Sequence, residues 1–254
     1  MMRHLVLGLF LSLFTSPVLA AWDDDAYVEK AFELIALNNE YDDDTHPIRK
    51  WRQPIKVWID HRVGDQELHT MLVRMHLTHL SKVTGHDVQL VDNLEKANLR
   101  MVFTRQSRWQ DETRELWGAN ESYPFRGAIC MAHFSVTKSN EIRRGLIVIP
   151  VDLARERGKL FACVVEELTQ AMGLPNDSNE VFPSIFNDNT KNSVLTPLDV
   201  TLLRLLYAPD IHAGMTGNKA LPIVSQWLKA RPAWAEESKK LARQSEFVTE
   251  LGLF

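Results

Sequence analysis

The sequence predicts an α+β fold, a mixed sheet around a central buried helix with further helices at both ends of the chain. Three observations predict it. Ile55, Val57 and Ile59 alternate with Lys56, Trp58 and Asp60, which is the two-residue period of a strand. Over 66–84, Leu68, Met71, Leu72, Met75 and Val83 fall on one stripe that stops before Gly85, the pattern of an amphipathic helix with its terminator. The segment KLFACVVEELTQAMGL over 159–174 is apolar on nearly every side except at Glu166, Glu167, Thr169 and Gln170, so it reads as a helix inside the core.

The remaining elements follow in order. Residues 1–20 begin with Arg3 and His4, continue through an apolar run at 5–14 and end in Pro17-Val18-Leu19-Ala20, the layout of a secretory leader cleaved after Ala20. Ser12, Thr15, Ser16 and Pro17 interrupt the run before it reaches the length of a membrane span. Residues 21–50 are expected to hold a short helix and an acidic linker. Asp23, Asp24 and Asp25 stand at its favourable end, with Tyr27, Ala31, Phe32, Ile35 and Ala36 spaced as its apolar face. The linker spans 38–50; Asp42, Asp43 and Asp44 in it lack the alternation and central glycine of a calcium loop and read as a solvated charge run.

The main domain is placed at 51–215. Strands are expected at 88–91, 99–103, 127–136 and 146–151, with 106–125 a long polar loop whose Trp109 and Trp117 would flank a cleft. Residues 216–254 form a C-terminal extension of two helices, 219–229 and 233–251, separated by Pro232.

Composition limits the function. The chain has 254 residues, 45% of them hydrophobic and 24% charged, which are globular proportions. Lys and Arg number 29 against 33 Asp and Glu, a formal charge of -4 with no basic block to neutralise a run of phosphates, so nucleic acid is not an expected partner. No segment after the leader is apolar enough to span a membrane. Cys130 and Cys163 are the only cysteines, and in an exported chain they are expected to form a disulfide; two buried free thiols are the alternative.

The chemistry centres on Glu166 and Glu167, because ionised carboxylates on a buried helix need donors, cations or a wet cleft. Glu166 and Gln170 share a face, whereas Glu167 is turned away from Glu166 toward the side of Cys163 and Gln170. The run from Glu166-Glu167 through Gln170 and Gly173 to Asn176 has the frame of the metzincin zinc-protease helix, H-E-x-x-H-x-x-G-x-x-H, with its Glu and Gly in place and each His replaced. Leu195-Thr196-Pro197-Leu198-Asp199 leading to Tyr207 is similar to the closing helix of such enzymes, and Ser184-Ile185-Phe186 lies where their Met-turn would be.

Cys163, Glu166-Glu167, Gln170, Gly173-Leu174, Asn176-Asp177, the Leu-Tyr ending and the tail Ile211-His212-Ala213-Gly214-Met215 resemble an exported bacterial family known as DUF2927 over roughly 51–215. The resemblance implies a zincin-like fold, a mixed and mostly parallel sheet, and a periplasmic or secreted setting. It implies no activity. At the zinc positions stand Glu166, Gln170 and Asn176, one carboxylate and two amides, a hard and weak set unsuited to zinc, so no metal and no cofactor is expected.

No other site competes. His69, His76 and His79 share a flank of the 66–84 helix and read as polar histidines bordering the core, and His133 as a structural histidine. No phosphate loop, Gly-x-Ser-x-Gly elbow or Cys/His nucleophile pair is present. The expected function is a non-catalytic binding protein of the cell envelope that holds a peptide or glycan in the old substrate cleft. Glu167 is the candidate catalytic residue should any reaction remain, with Glu166, Gln170, Asn176 and Asp177 as binding groups. Two alternatives stand beside it: a peptide or peptidoglycan hydrolase using Glu166 and Glu167 without zinc or with an atypical metal, and an envelope assembly factor whose terminal helices dock on a partner. A cleft open around Glu167 favours the first two, and one plugged by Phe186 or by 109–117 favours the last.

Overall fold

Strand β1 (Ile55–His61) buries Ile55, Val57 and Ile59 and leaves the alternate residues half-buried, as its alternation requires. The computed structural model describes residues 22–39, 44–118, 125 and 127–252; the expected leader at 1–20, Asp42, Asp43 and most of 119–126 lie outside them. Among the described residues the chain runs α1 (Asp25–Ala36), β1, α2 (Gln66–Thr84), β2 (Val88–Leu90), β3 (Leu99–Thr104) and α3 (Trp109–Trp117). It continues through β4 (Met131–Val136), β5 (Ile142–Pro150), α4 (Val151–Glu156), α5 (Leu160–Gln170) and α6 (Pro197–Leu206), closing with α7 (Gly217–Lys229), α8 (Trp234–Arg243) and α9 (Glu246–Thr249). The architecture is α+β around one sheet of five strands in the order β2-β1-β3-β5-β4. All neighbours are parallel except β4, which runs antiparallel to β5 with Met131 opposite Val148.

Both faces of the sheet centre are covered. Met101, Phe103, Ile147 and Ile149 point into the main core with Leu72, Val73, Val164 and Leu168, while Val102, Leu146, Val148 and Met131 form a second cluster with Trp109. This accounts for the near-continuous apolar run of β5, since a strand buried on both faces has no polar side to alternate.

The second cluster corrects the loop expected over 106–125. Residues 109–117 are helical, with Trp109 buried against the sheet and Glu112 also buried. Glu112 Oε1 lies 3.1 Å from both Arg62 Nη1 and Arg108 Nε, so its charge is met by two guanidinium groups, one of them from the end of β1. A polar nine-residue segment has little helical stability alone, and its order comes from these long-range contacts.

The stripe read on α2 is also revised. Leu68 and Met71 are 37% and 41% exposed, whereas His69, His76 and His79 are buried. The reason is aromatic: His69 stacks on Phe103 of β3 with centroids 4.2 Å apart and planes 1° from parallel. His76 Nε2 lies 2.9 Å from Thr169 Oγ1 of α5, and His79 Nε2 donates to Leu241 O at 3.0 Å.

Other boundaries shift for local reasons. The strand expected from 127 pairs only from Met131, because Gly127 is left-handed at φ 89° and Cys130 is tied to α5. The single helix expected over 233–251 is interrupted after Arg243, and the turn lets Phe247 pack against Phe161 (4.5 Å) and His76 (6.2 Å). The helix after 195 is capped by Thr196, whose side chain and that of Asp199 bond each other's backbone N–H in a capping box.

The disulfide joins Cys130 to Cys163 with Cα atoms 5.9 Å apart and a sequence separation of 33. It ties the segment entering β4 to the middle of α5. In the chain-entropy picture a loop of this length contributes about 3 to 4 kcal/mol. Thiol titration of the denatured, unreduced protein is expected to find no free cysteine. Replacing both cysteines by Ser should lower the unfolding free energy in urea by about that amount, and an unchanged midpoint would remove the bridge from the stability of the fold.

Candidate functional site

The site forms where α5 passes beside the entry to β4, at the carboxyl ends of the parallel strands, since Met131 pairs near the last residues of β5. The cavity there has a volume of about 350 Å³. Ile129 to Ala132 form one wall, and Cys163, Glu166, Glu167 and Gln170 of α5 form the other. Asp177, Asp188 and Lys159 complete the polar rim. Phe186 is fully buried elsewhere in the core, and the 109–117 helix does not line the cavity, so neither plugs it.

α5 turns one flank to the core through Val164, Val165 and Leu168, and this leaves Glu166 half-buried on the cavity side. Glu167 is more deeply set, only 5% exposed, and also reaches the cavity. Gln170, one turn beyond Glu166, donates Nε2–H to Asp177 Oδ1 at 3.0 Å and so fixes that carboxylate over the helix end. Asn176 stands apart from the cavity. Its Nδ2 donates to Leu34 O of α1 at 2.9 Å, a link between α1 and the loop after α5.

Asp188 is the residue that sequence reasoning missed. One carboxylate oxygen from each of Glu166, Asp177 and Asp188 lies within 4.8 Å of the others. The loop that brings it there is held internally. Asn187 Nδ2 donates to Asn179 O and Val181 O at 3.0 Å, and Asn189 N–H donates to Asn187 Oδ1 at 2.9 Å. The polar run Asn187-Asp188-Asn189-Thr190 was the available signal, a cluster of turn formers with a carboxylate at its centre.

Asp199 anchors the same loop from below. Its buried carboxylate accepts from Ser184 Oγ (2.6 Å), Ile185 N (3.1 Å) and Thr196 N (2.8 Å), while burial pushes its pKa up to about 6 against the pull of those donors.

Three carboxylates this close raise the negative potential of the cleft and make it attractive to cationic groups. The zinc frame read from Glu166, Gln170 and Asn176 is not gathered in the cavity, because Asn176 is outside its lining and donates its amide N–H to Leu34 O while Gln170 donates its own to Asp177. The three positions offer oxygen ligands, whereas catalytic zinc is built chiefly on imidazole. His133, the nearest imidazole on β4, instead meets the Trp117 ring edge to face at 4.6 Å.

With fold and site in place, the family follows. Residues 25–226 match the family described as "Protein of unknown function (DUF2927)", and the chain belongs to it. No curated protein matches the chain. Among the described residues no helix is long and apolar enough to cross a membrane.

Proposed function

We propose that this chain is an exported, zincin-like binding protein of the cell envelope whose cleft holds a peptide by a cationic side chain without cleaving it. The observation that carries the reading is the cavity beside α5, where Glu166, Glu167, Asp177 and Asp188 face one volume with Lys159 as the cation among the described lining residues. An ammonium or guanidinium group entering that volume exchanges water for several carboxylate oxygens, an arrangement that favours Lys and Arg over neutral side chains. The Cys130–Cys163 disulfide fits an oxidising compartment, in line with the leader pattern at 1–20. The α+β frame, with β4 antiparallel at the sheet edge beside the central helix, supports the zincin-like reading. In this reading residues 51–215 form the binding domain, 21–50 and 216–254 brace it, and Glu167 is the deepest of the ligand's carboxylate partners.

Binding of fluorescent peptides tests it. A Lys- or Arg-containing peptide is expected to bind saturably and to weaken with added salt, and Glu166→Gln with Asp188→Asn is expected to weaken it tenfold or more while the melting temperature holds. An acidic peptide or a neutral glycan oligomer binding equally well would overturn the cationic reading. Cleavage of the peptide, lost in Glu167→Gln, would replace binding by carboxylate hydrolysis.

A further inference from the structure

A second cavity of about 530 Å³ opens at the other end of the sheet and shares none of its described lining residues with the acidic cleft. Lys50 and Arg52 lead into β1, His86 precedes β2 and Glu141 precedes β5, so the cavity sits at the starting ends of three parallel strands. The segment after α6 closes it with Tyr207 and His212, and thereby includes Ile211, His212 and Ala213 of the tail singled out in the sequence.

The charge arrangement is the reverse of the first site. Lys50 Nζ donates to Leu206 O and Ile211 O, both at 2.8 Å, and lies 4.9 Å from the centre of the Tyr207 ring. Those carbonyls take two of its three N–H groups, and among the described residues no carboxylate pairs with it. Glu141, the acid of the lining, is engaged by Arg52 Nη1 at 2.9 Å and Arg143 Nη2 at 3.4 Å. His86 packs against the same Tyr207 ring at 5.1 Å, and its Nε2 bonds Gln53 O at 2.9 Å. A carbonyl only accepts, so Nε2 carries the hydrogen, which leaves Nδ1 as the second site for a proton. Burial lowers the pKa of Lys50 to about 8, and burial together with the charge of Lys50 lowers that of His86 against the pull of Asp87.

We propose that this cavity binds the oxyanion of a small ligand, a carboxylate or phosphoryl group held by Lys50 with His86, Arg52 and His212 around it. An anion there satisfies the remaining Lys50 N–H and relieves the repulsion between Lys50 and a protonated His86. Its uptake therefore draws protons onto these groups, so affinity rises as pH falls from 8.5 to 6; Glu141 of the lining and Asp87 beside His86 are the acids that face the pair.

Calorimetric titration of the full chain with inorganic phosphate and, separately, succinate tests the proposal. Saturable one-to-one binding of either probe is expected, phosphate alone marking a phosphoryl site and succinate alone a carboxylate site. Arg52→Glu combined with His212→Asp, both at exposed side chains, should weaken it at least tenfold. Glu166→Gln in the acidic cleft should leave it unchanged, which separates this site from the first. If the double variant melts early, His212→Asp alone decides by the same measure. Absence of saturable binding by both probes, or binding that survives the charge reversal, overturns the proposal.

Discussion

Gly173→Ala is expected to cost about 4 kcal/mol of stability, enough to leave little folded protein at 37 °C in a domain of ordinary stability. Gly173 ends the turn after α5 at φ 115°, a conformation that side-chain-bearing residues rarely adopt. A Cβ there would lie 2.1 Å from the backbone oxygen of Arg49 and 3.1 Å from its carbonyl carbon. Backbone strain of this kind costs about 1 to 3 kcal/mol, and forcing main chain apart adds a similar amount. The contact matters for the site because the turn at Gly173 launches the loop that carries Asp177 and Asp188, and because Arg49 adjoins Lys50 of the basic cavity. Gly158→Ala is the control: Gly158 is also left-handed, at φ 65°, but a Cβ there meets nothing within 4 Å. Its loss should be about 1 kcal/mol, set by backbone conformation alone. Urea denaturation of both variants makes the comparison, and equal losses would show that the approach of Arg49 has no weight.

The second large effect is acid sensitivity arising from α2. Both ring nitrogens of His69 lack a hydrogen-bond partner among the described residues, and burial, with smaller contributions from His61 and Arg155, holds its pKa down to about 4. Burial, with the neighbouring His79, pushes His76 to about 3. A histidine whose folded pKa lies below its unfolded value near 6.5 takes up protons more readily when the chain unfolds. Stability is therefore full above pH 6.5 and falls as the pH drops toward 4. At the values given, His69 alone removes about 3 kcal/mol by pH 4, and His76 a comparable amount.

Asp199 works in the opposite direction, since a carboxyl raised to about 6 by burial gains stability as the pH falls from 6 toward its unfolded value. The net loss between pH 7 and pH 4 is then about 4 kcal/mol. His69→Phe isolates the cause: it keeps the stack on Phe103, deletes two buried nitrogens and should remove about 3 kcal/mol of the acid loss. Urea midpoints of wild type and His69→Phe at pH 7 and pH 4 provide the measurement. Parallel pH curves for the two proteins would place the acid sensitivity elsewhere.

These two effects show unequally in the sequence. A glycine closing an apolar helix is visible as a terminator, yet nothing near Gly173 in the chain announces Arg49, which lies more than a hundred residues earlier. The histidines were visible as residues sharing one flank of α2, but apolar spacing put the buried stripe through Leu68 and Met71. A hydropathy pattern scores imidazole as polar, and it cannot know that Phe103 will offer a flat ring to His69.

The carboxylates divide in the same way. That Glu166, Glu167 and Gln170 sit together on a buried helix followed from local periodicity. That Asp188 joins Glu166 while Asn176 turns to Leu34 depended on how the loop over 175–190 folds back, which is a matter of Asn side chains bonding backbone groups across the turn.

What the sequence by itself determined are therefore the features written in neighbouring residues: the alternation of β1, the stop of α2 before Gly85, the family motif and the single possible cysteine pair. Their information is a period or a spacing, and a period needs no partner to be read. Tertiary structure alone decided the helix at 109–117, held through Glu112 by Arg62, the buried face of α2, the third carboxylate of the cleft and the basic cavity at the far end of the sheet. Each of those depends on charges or rings brought together from distant parts of the chain, where the energy of a pair is set by burial and distance in space and leaves no regular trace along the sequence.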